Sequence, residues 1–181
     1  KMSSKLENLL QQNIRVVADF PKKGIMFQDI FSLIAKPELL KKITNEISKT
    51  VKRENITKII GIDARGFIFG SIVANTNNIP FIPIRKKGKL PGAVYKKKYK
   101  LEYGFDQVEL QKNSLLKKDK VLIVDDLIAT GGTAIAAAKL VENVSSKKVS
   151  FMFVIDLYNL NGATALKNKG YKVFSIMKAE G

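Results

Sequence analysis

Apolar positions change their period several times along the chain, and each change marks an element. Leu6, Leu9 and Leu10 recur at helical spacing within SKLENLLQQN (4–13), where Ser4 and Glu7 stand as a capping box. DFPKKGIMFQDI (19–30) reads as a turn-rich connector, because Pro21 and Gly24 oppose a helix. A helix is predicted from Pro37 to about residue 53. KIIGID (58–63) is a short apolar run typical of a buried strand, and ARGFIFGSIVANT (64–76) a turn leading into a helix. PFIPIR (80–85) predicts a strand and residues 86–98 a lysine-rich loop. YKLEYG and QVELQ alternate like two hairpin arms around Gly104, Phe105 and Asp106. Strand 120–125, helix 132–143, strand 148–156, helix 161–169 and strand 171–176 complete the chain.

This alternation of strand and helix predicts an α/β fold: a mainly parallel sheet covered on both faces. No repeat or linker divides residues 1–181, so a single domain is expected. In such sheets ligands bind beyond the carboxyl ends of the strands. VLIVDDLIATGGT (121–133) places Asp125 and Asp126 there, directly after four buried-strand residues.

The stretch that follows carries the chemistry. Thr130, Gly131, Gly132 and Thr133 lead into AIAAAKLV, a strong helix former. Unpaired N–H groups at a helix start attract anions, and glycine lets a phosphate approach the backbone. A phosphate monoester on this turn would leave the two carboxylates facing vicinal hydroxyls, as on a sugar 5-phosphate. The plainer alternative, a Thr130 helix cap and two surface acids, leaves a carboxylate pair flush against a buried strand with nothing to occupy it. The chain has no Gly-Lys-Ser/Thr to make this a P-loop and no G-x-G-x-x-G for a dinucleotide.

Composition narrows the reaction classes. With no cysteine and no histidine, the chain has no thiolate nucleophile, no histidine base and no thiolate or histidine metal ligand. A metal would have to arrive with substrate or sit on carboxylates. No apolar run approaches the roughly 20 residues of a membrane span, so no membrane partner is expected and the cytoplasm is the expected location. The 32 basic against 16 acidic residues give +16, which favours anionic partners. Lysines spread through most of the chain also fit a solvated coat. Nucleic acid is not expected, since no helix-turn-helix or aromatic-studded RNA-binding motif accompanies the charge.

VLIVDDLIATGGT resembles the phosphoribosyl-pyrophosphate (PRPP) motif of type I phosphoribosyltransferases. ADFPKKGIMFQDI, GIDARGFIFG, RKKGKLPG and LEYGFDQVELQ extend that resemblance, from about residue 5 onward, to the adenine phosphoribosyltransferase family. The resemblance implies the type I fold: a twisted parallel sheet flanked by helices, a small hood (1–35) that binds the base, a flexible catalytic loop (85–100) and the PRPP motif at 121–133. It implies transfer from PRPP to adenine, giving AMP and pyrophosphate in purine salvage, with Mg²⁺ on the pyrophosphate and a homodimer. Transfer to another base, such as a 6-oxo purine, and a PRPP-sensing nucleic-acid-binding regulator are the alternatives.

Residue by residue, the resemblance assigns Ala129, Thr130, Gly131, Gly132 and Thr133 to the 5-phosphate, and Asp125 and Asp126 to the ribose hydroxyls. Glu102, with Tyr103 beside it, is placed over the reaction centre to exchange the purine proton; as a plain sequence position it is equally a solvent-facing strand residue. Arg65 is suited to pyrophosphate through its forked guanidinium, or else forms an ion pair with Asp63 or a helix cap. Arg85, Lys86 and Lys89 open a loop with eight basic residues and no acid between 85 and 100. That loop closes over PRPP in the family, and its arginine can come from the partner subunit. Met26 and Phe27 are assigned to adenine, with core packing as the alternative for Phe27. Gln28 stands where arginine is common, Lys87 replaces a frequent proline, and Lys96 to Lys98 replace a polar or acidic stretch.

Overall fold

The computed structural model describes residues 2–101 and 103–181. The first helix, α1 (Met2–Asn13), already includes Ser4, and the side chain of Ser4, on which the expected capping box turns, lies outside the described residues; Glu7 accepts a hydrogen bond from the Lys178 N–H at 3.0 Å. The expected connector 19–30 holds a strand, β2 (Met26–Asp29), which pairs antiparallel with β1 (Arg15–Ala18) just before it to form a hairpin. Its turn uses left-handed backbone at Asp19 (φ 57°) and Gly24 (φ 88°), closed by the Asp19 carboxylate on the Gly24 N–H at 2.7 Å. A one-turn helix α2 (Phe31–Ile34) precedes α3 (Pro37–Arg53), whose Pro37 sits in the first turn, where its missing N–H costs nothing.

The remaining elements are β3 (Lys58–Ile62), α4 (Gly66–Thr76), β4 (Phe81–Lys86), β5 (Val94–Lys100), β6 (Phe105–Gln111), β7 (Val121–Ile128), α5 (Gly132–Glu142), β8 (Ser150–Leu157), α6 (Gly162–Asn168) and β9 (Lys172–Ala179). Seven strands form one sheet in the order β5-β6-β4-β3-β7-β8-β9. The five from β4 to β9 run parallel, and β6 and β5 add antiparallel at one edge.

Side-chain alternation explains the layers. On β7, Val121 and Ile123 face the core under α5 and α6, while Leu122 and Val124 face the core under α1, α3 and α4. Both faces are therefore apolar, as a parallel sheet requires.

Three expected boundaries are corrected. The predicted loop 86–98 is a turn followed by strand β5, because Val94 to Lys100 pair with β6 from Gln111 to Phe105. The Leu101 N–H donates to the Gly104 carbonyl at 2.9 Å, and Phe105 already belongs to β6, so the strand starts one residue before the expected turn ends. Strand β7 also continues past both acids to Ile128.

Candidate active site

β3 leads into β4 on one side, whereas β7, on its other side, begins the second half of the sheet. The carboxyl ends of β3 and β7 thus form the topological switch point, where open α/β sheets bind ligands. A cavity of about 410 Å³ opens there, walled by Arg65, Asp125, Asp126, the run Leu127 to Ala134, Phe153 and the hairpin residues Tyr99, Lys100 and Leu101. A larger cleft of about 610 Å³ between α1 and α3 is lined by Leu6, Leu9, Lys42 and Lys49 among others, and has no comparable acid–glycine constellation.

The floor of the cavity is backbone. Gly131 caps α5 with φ +90°, a left-handed conformation that turns the chain into the helix. Its neighbours leave little room: a Cβ on Gly131 would come within 3.2 Å of the Gly162 carbonyl oxygen. Gly162 in turn donates its N–H to the Ala129 carbonyl at 3.0 Å, and a Cβ there would overlap that oxygen. The Gly132, Thr133 and Ala134 N–H groups open α5 without an acceptor among the described residues. They present the positive end of an 11-residue helix to the cavity.

The acids differ in their surroundings. Asp126 is nearly inaccessible and receives the Arg65 Nε at 2.5 Å. Asp125 accepts the Asp126 N–H at 2.8 Å. Burial, together with the adjacent Asp126 charge, pushes the Asp125 carboxyl well above the usual aspartate range, and Arg65 offsets only part of that. The pair is therefore short of positive charge, and a cation or a developing positive centre in the cavity would be stabilised.

The alternative Arg65–Asp63 pair is not formed, since Arg65 is drawn to Asp126. Asp63 is held instead by Arg85 Nε at 3.1 Å and Lys89 Nζ at 3.8 Å. Only Nε of Arg65 has a partner among the described residues, so its outer nitrogens remain available. Lys86 is turned away onto Asp106 and the Tyr99 hydroxyl. The structure thus gathers Asp125, Asp126, Ala129 to Thr133 and Arg65 in one cavity, and leaves Arg85, Lys86, Lys89, Met26 and Phe27 outside its walls. Phe27 packs edge-on against Phe20 at 5.0 Å between ring centroids. Tyr103 is largely exposed at the hairpin tip, where Lys22 lies 5.5 Å from its ring centre. Glu102 lies outside the described residues. Gln28 is buried, with its amide on the Glu180 carbonyl at 3.2 Å.

Comparison with known proteins matches residues 32–180 to the phosphoribosyl transferase domain. An adenine phosphoribosyltransferase of Methanococcus vannielii is 45% identical over 169 residues, covering 93% of this chain and 96% of the relative. The chain belongs to the adenine phosphoribosyltransferase family. Its fold agrees with that of the Giardia lamblia adenine phosphoribosyltransferase complexed with 9-deazaadenine, at 36% identity and a TM-score of 0.88 over 95% of this chain and 97% of that one. The Trypanosoma brucei enzyme, solved with AMP, pyrophosphate and ribose-5-phosphate, aligns at 26% identity with a TM-score of 0.87, covering 96% of this chain and 79% of that one.

Some contributors to this adenine phosphoribosyltransferase-family site escaped the sequence reading. Leu101, a hairpin-arm residue by its sequence, and Lys100, the last residue of the 85–100 loop, have no assigned role there, yet both wall the cavity. Gly162 carries no motif, and only its contact with Ala129 reveals its part. Glu109, 3% exposed on β6, accepts the Gly88 N–H at 2.6 Å and so pins the turn that carries Lys86 to Lys89. An acid set between Val108 and Leu110 is the available signal.

Proposed function

We propose that this chain transfers the 5-phosphoribosyl group of PRPP to adenine, giving AMP and pyrophosphate in purine salvage. The observation that carries the reading is the single cavity joining the open α5 N-terminus, behind the left-handed Gly131, to the Asp125–Asp126 pair. The 5-phosphate would rest on the N–H groups of Gly131 to Thr133 and the hydroxyls of Thr130 and Thr133, with Ala129 in the same loop. The two carboxylates would hold the ribose hydroxyls.

A bond forms between a ring nitrogen of adenine and C1 of the ribose while the C1–O bond to pyrophosphate breaks. Positive charge grows on the sugar as the leaving group departs, and the charge-starved acids of β7 are preorganised for it. Arg65 would bind the departing pyrophosphate with its outer nitrogens, keeping Nε on Asp126. The purine releases a proton as the bond forms, and Glu102 is the carboxylate assigned to receive it, with Tyr103 beside it. Met26 and Phe27 would supply the adenine subsite: Phe27 against the ring, and the backbone near Met26 reading the exocyclic amine. A carbonyl in that role rejects a 6-oxo purine, because two acceptors would oppose each other.

Among the described residues no group of three or more acids is placed to hold a metal. The donor set therefore suits Mg²⁺ carried by the diphosphate, with hard carboxylate oxygens close by. When bound, the ion would neutralise the leaving group's charge.

Closure of the 85–100 segment would exclude water, with Gly88 and Gly92, both at positive φ, as hinges. The family resemblance has the loop arginine supplied across a homodimer, and Arg85 would have to leave Asp63, 3.1 Å away, to take that part. The apolar side chains exposed on and around the β1–β2 hairpin, Val16, Val17 and Met26, favour a second copy. A cytoplasmic location accords with this chemistry. Among the described residues no helix is long and apolar enough to cross a membrane.

The reading is tested by offering adenine, hypoxanthine, guanine and orotate with PRPP and Mg²⁺ and following nucleotide formation. Adenine alone should react at a substantial rate. Product from another base with adenine inert would overturn the specificity.

A further inference from the structure

We propose that the amino-terminal rim of the sheet, opposite the active site, is a docking surface for the phosphate backbone of duplex nucleic acid. Lysines spread along the chain converge there. Strands β3, β7, β8 and β9 are parallel neighbours, so their starts share one edge. The segments entering them bring Lys58, then Lys117, Lys118 and Lys120, then Lys147 and Lys148, and finally Lys169 and Lys172. The Ser146 N–H and hydroxyl both bond the Lys117 carbonyl, at 2.9 and 3.0 Å, tying two of these loops together. Lys120, Lys148 and Lys172 line one cleft of about 290 Å³ with Glu54, Ser150 and Gly170.

Charge on this rim is poorly balanced. Asp119 is buried and consumed by Lys58 at 2.9 Å. Glu54 is consumed by Lys172 at 2.7 Å and Arg53 at 3.3 Å. Lys117, Lys118, Lys120, Lys147, Lys148 and Lys169 are all exposed, and none has an acid within 4.0 Å among the described residues. Glu142, paired with Lys139 at 3.2 Å, also attracts Lys148; an external polyanion or salt would relieve the repulsion that remains among these ammonium groups. Adjacent strands lie about 4.8 Å apart, so β3 to β9 span about 14 Å. A duplex carries one negative charge per about 1.7 Å of axis, enough to meet several of these lysines at once.

The details favour duplex backbone over the other polyanions. Tyr171, the aromatic on the rim, is 5% exposed with Lys148 over its ring at 5.2 Å, so no stacking platform is offered to single strands. Leu116 is the large apolar side chain exposed beside the lysines, too little to anchor the surface in a bilayer. Binding would be sequence-blind, since every contact is a lysine to phosphate. The rim and the catalytic cavity lie at opposite ends of β7, about 25 Å apart at about 3.3 Å per residue.

The test is fluorescence anisotropy of a short labelled DNA duplex across a salt series. Contact with about four phosphates predicts a slope of log K against log salt of about −3 to −4. The triple variant Lys118→Glu, Lys147→Glu, Lys169→Glu should flatten that slope by about three while nucleotide synthesis is unchanged. A control with the same charge change elsewhere, Lys5→Glu, Lys41→Glu, Lys42→Glu, should retain the slope. Equal weakening by both triples would show a diffuse lysine coat and overturn the proposal. Duplex left unbound while phosphatidylserine vesicles are retained would overturn it in favour of a membrane surface.

Discussion

Glu102→Ala is expected to lower turnover by about 10²–10⁴-fold, the range for loss of a general acid–base group. Without histidine or cysteine in the chain, a carboxyl is the group whose ordinary range suits accepting a proton from the purine. Leu101, the neighbour of Glu102, walls the cavity, and its N–H is held by the Gly104 carbonyl at 2.9 Å. The substitution should therefore spare PRPP binding and change kcat far more than the KM for PRPP. Glu102→Gln separates shape from proton exchange: it should be as slow as the alanine variant, and the acid limb of the pH–rate profile should vanish in both. Unchanged turnover in Glu102→Ala would remove Glu102 from the chemistry.

Asp125→Asn is expected to act in opposite directions on stability and activity. The Asp125 carboxyl is raised by burial and by the charge of Asp126, so its ionised form is disfavoured in the folded protein. A carboxyl with a raised folded-state pKa contributes most to stability when protonated, below the ordinary aspartate value of about 3.9. That contribution is lost as pH rises through the folded value, so at neutral pH the native protein carries an electrostatic cost. Asparagine keeps an acceptor for the Asp126 N–H and carries no charge. Its melting temperature should exceed the wild type's at pH 7, by about 2–4 °C for each kcal/mol recovered, and the gap should close toward pH 4. Phosphoribosyl transfer should fall by about 10²–10³-fold, as when one preorganised electrostatic group is removed. A lower melting temperature at pH 7, or undiminished transfer, would contradict this role.

The motif at 121–133 was legible because its parts are local: a buried apolar run, two acids, a glycine turn and a helix former succeed one another along the chain. The helices after Pro37 and Gly132, and the parallel strands between them, were legible from period alone. Strand β5 was not, because Lys96 to Lys98 lack an apolar alternation. An edge strand needs one partner only and tolerates lysine, and Tyr95 and Tyr99 suffice to pack it on the core. The β1–β2 hairpin was hidden for a related reason: all four β1 residues are exposed, so no half-buried pattern marks them. Charge partners were the least legible. Arg65 lies two residues from Asp63 but 61 from Asp126, and it pairs with the distant acid because β3 and β7 are neighbours at the switch point.

Both expected effects depend on the sugar phosphate lying between the α5 N-terminus and the β7 acids. A crystal structure with bound PRPP tests this most directly. The 5-phosphate should accept hydrogen bonds from the N–H groups of Gly131 to Thr133, with the ribose hydroxyls on Asp125 and Asp126. PRPP bound elsewhere, or lying in the cavity with its phosphate off the Gly131 turn and both acids engaged only by the protein's own groups, would contradict the account.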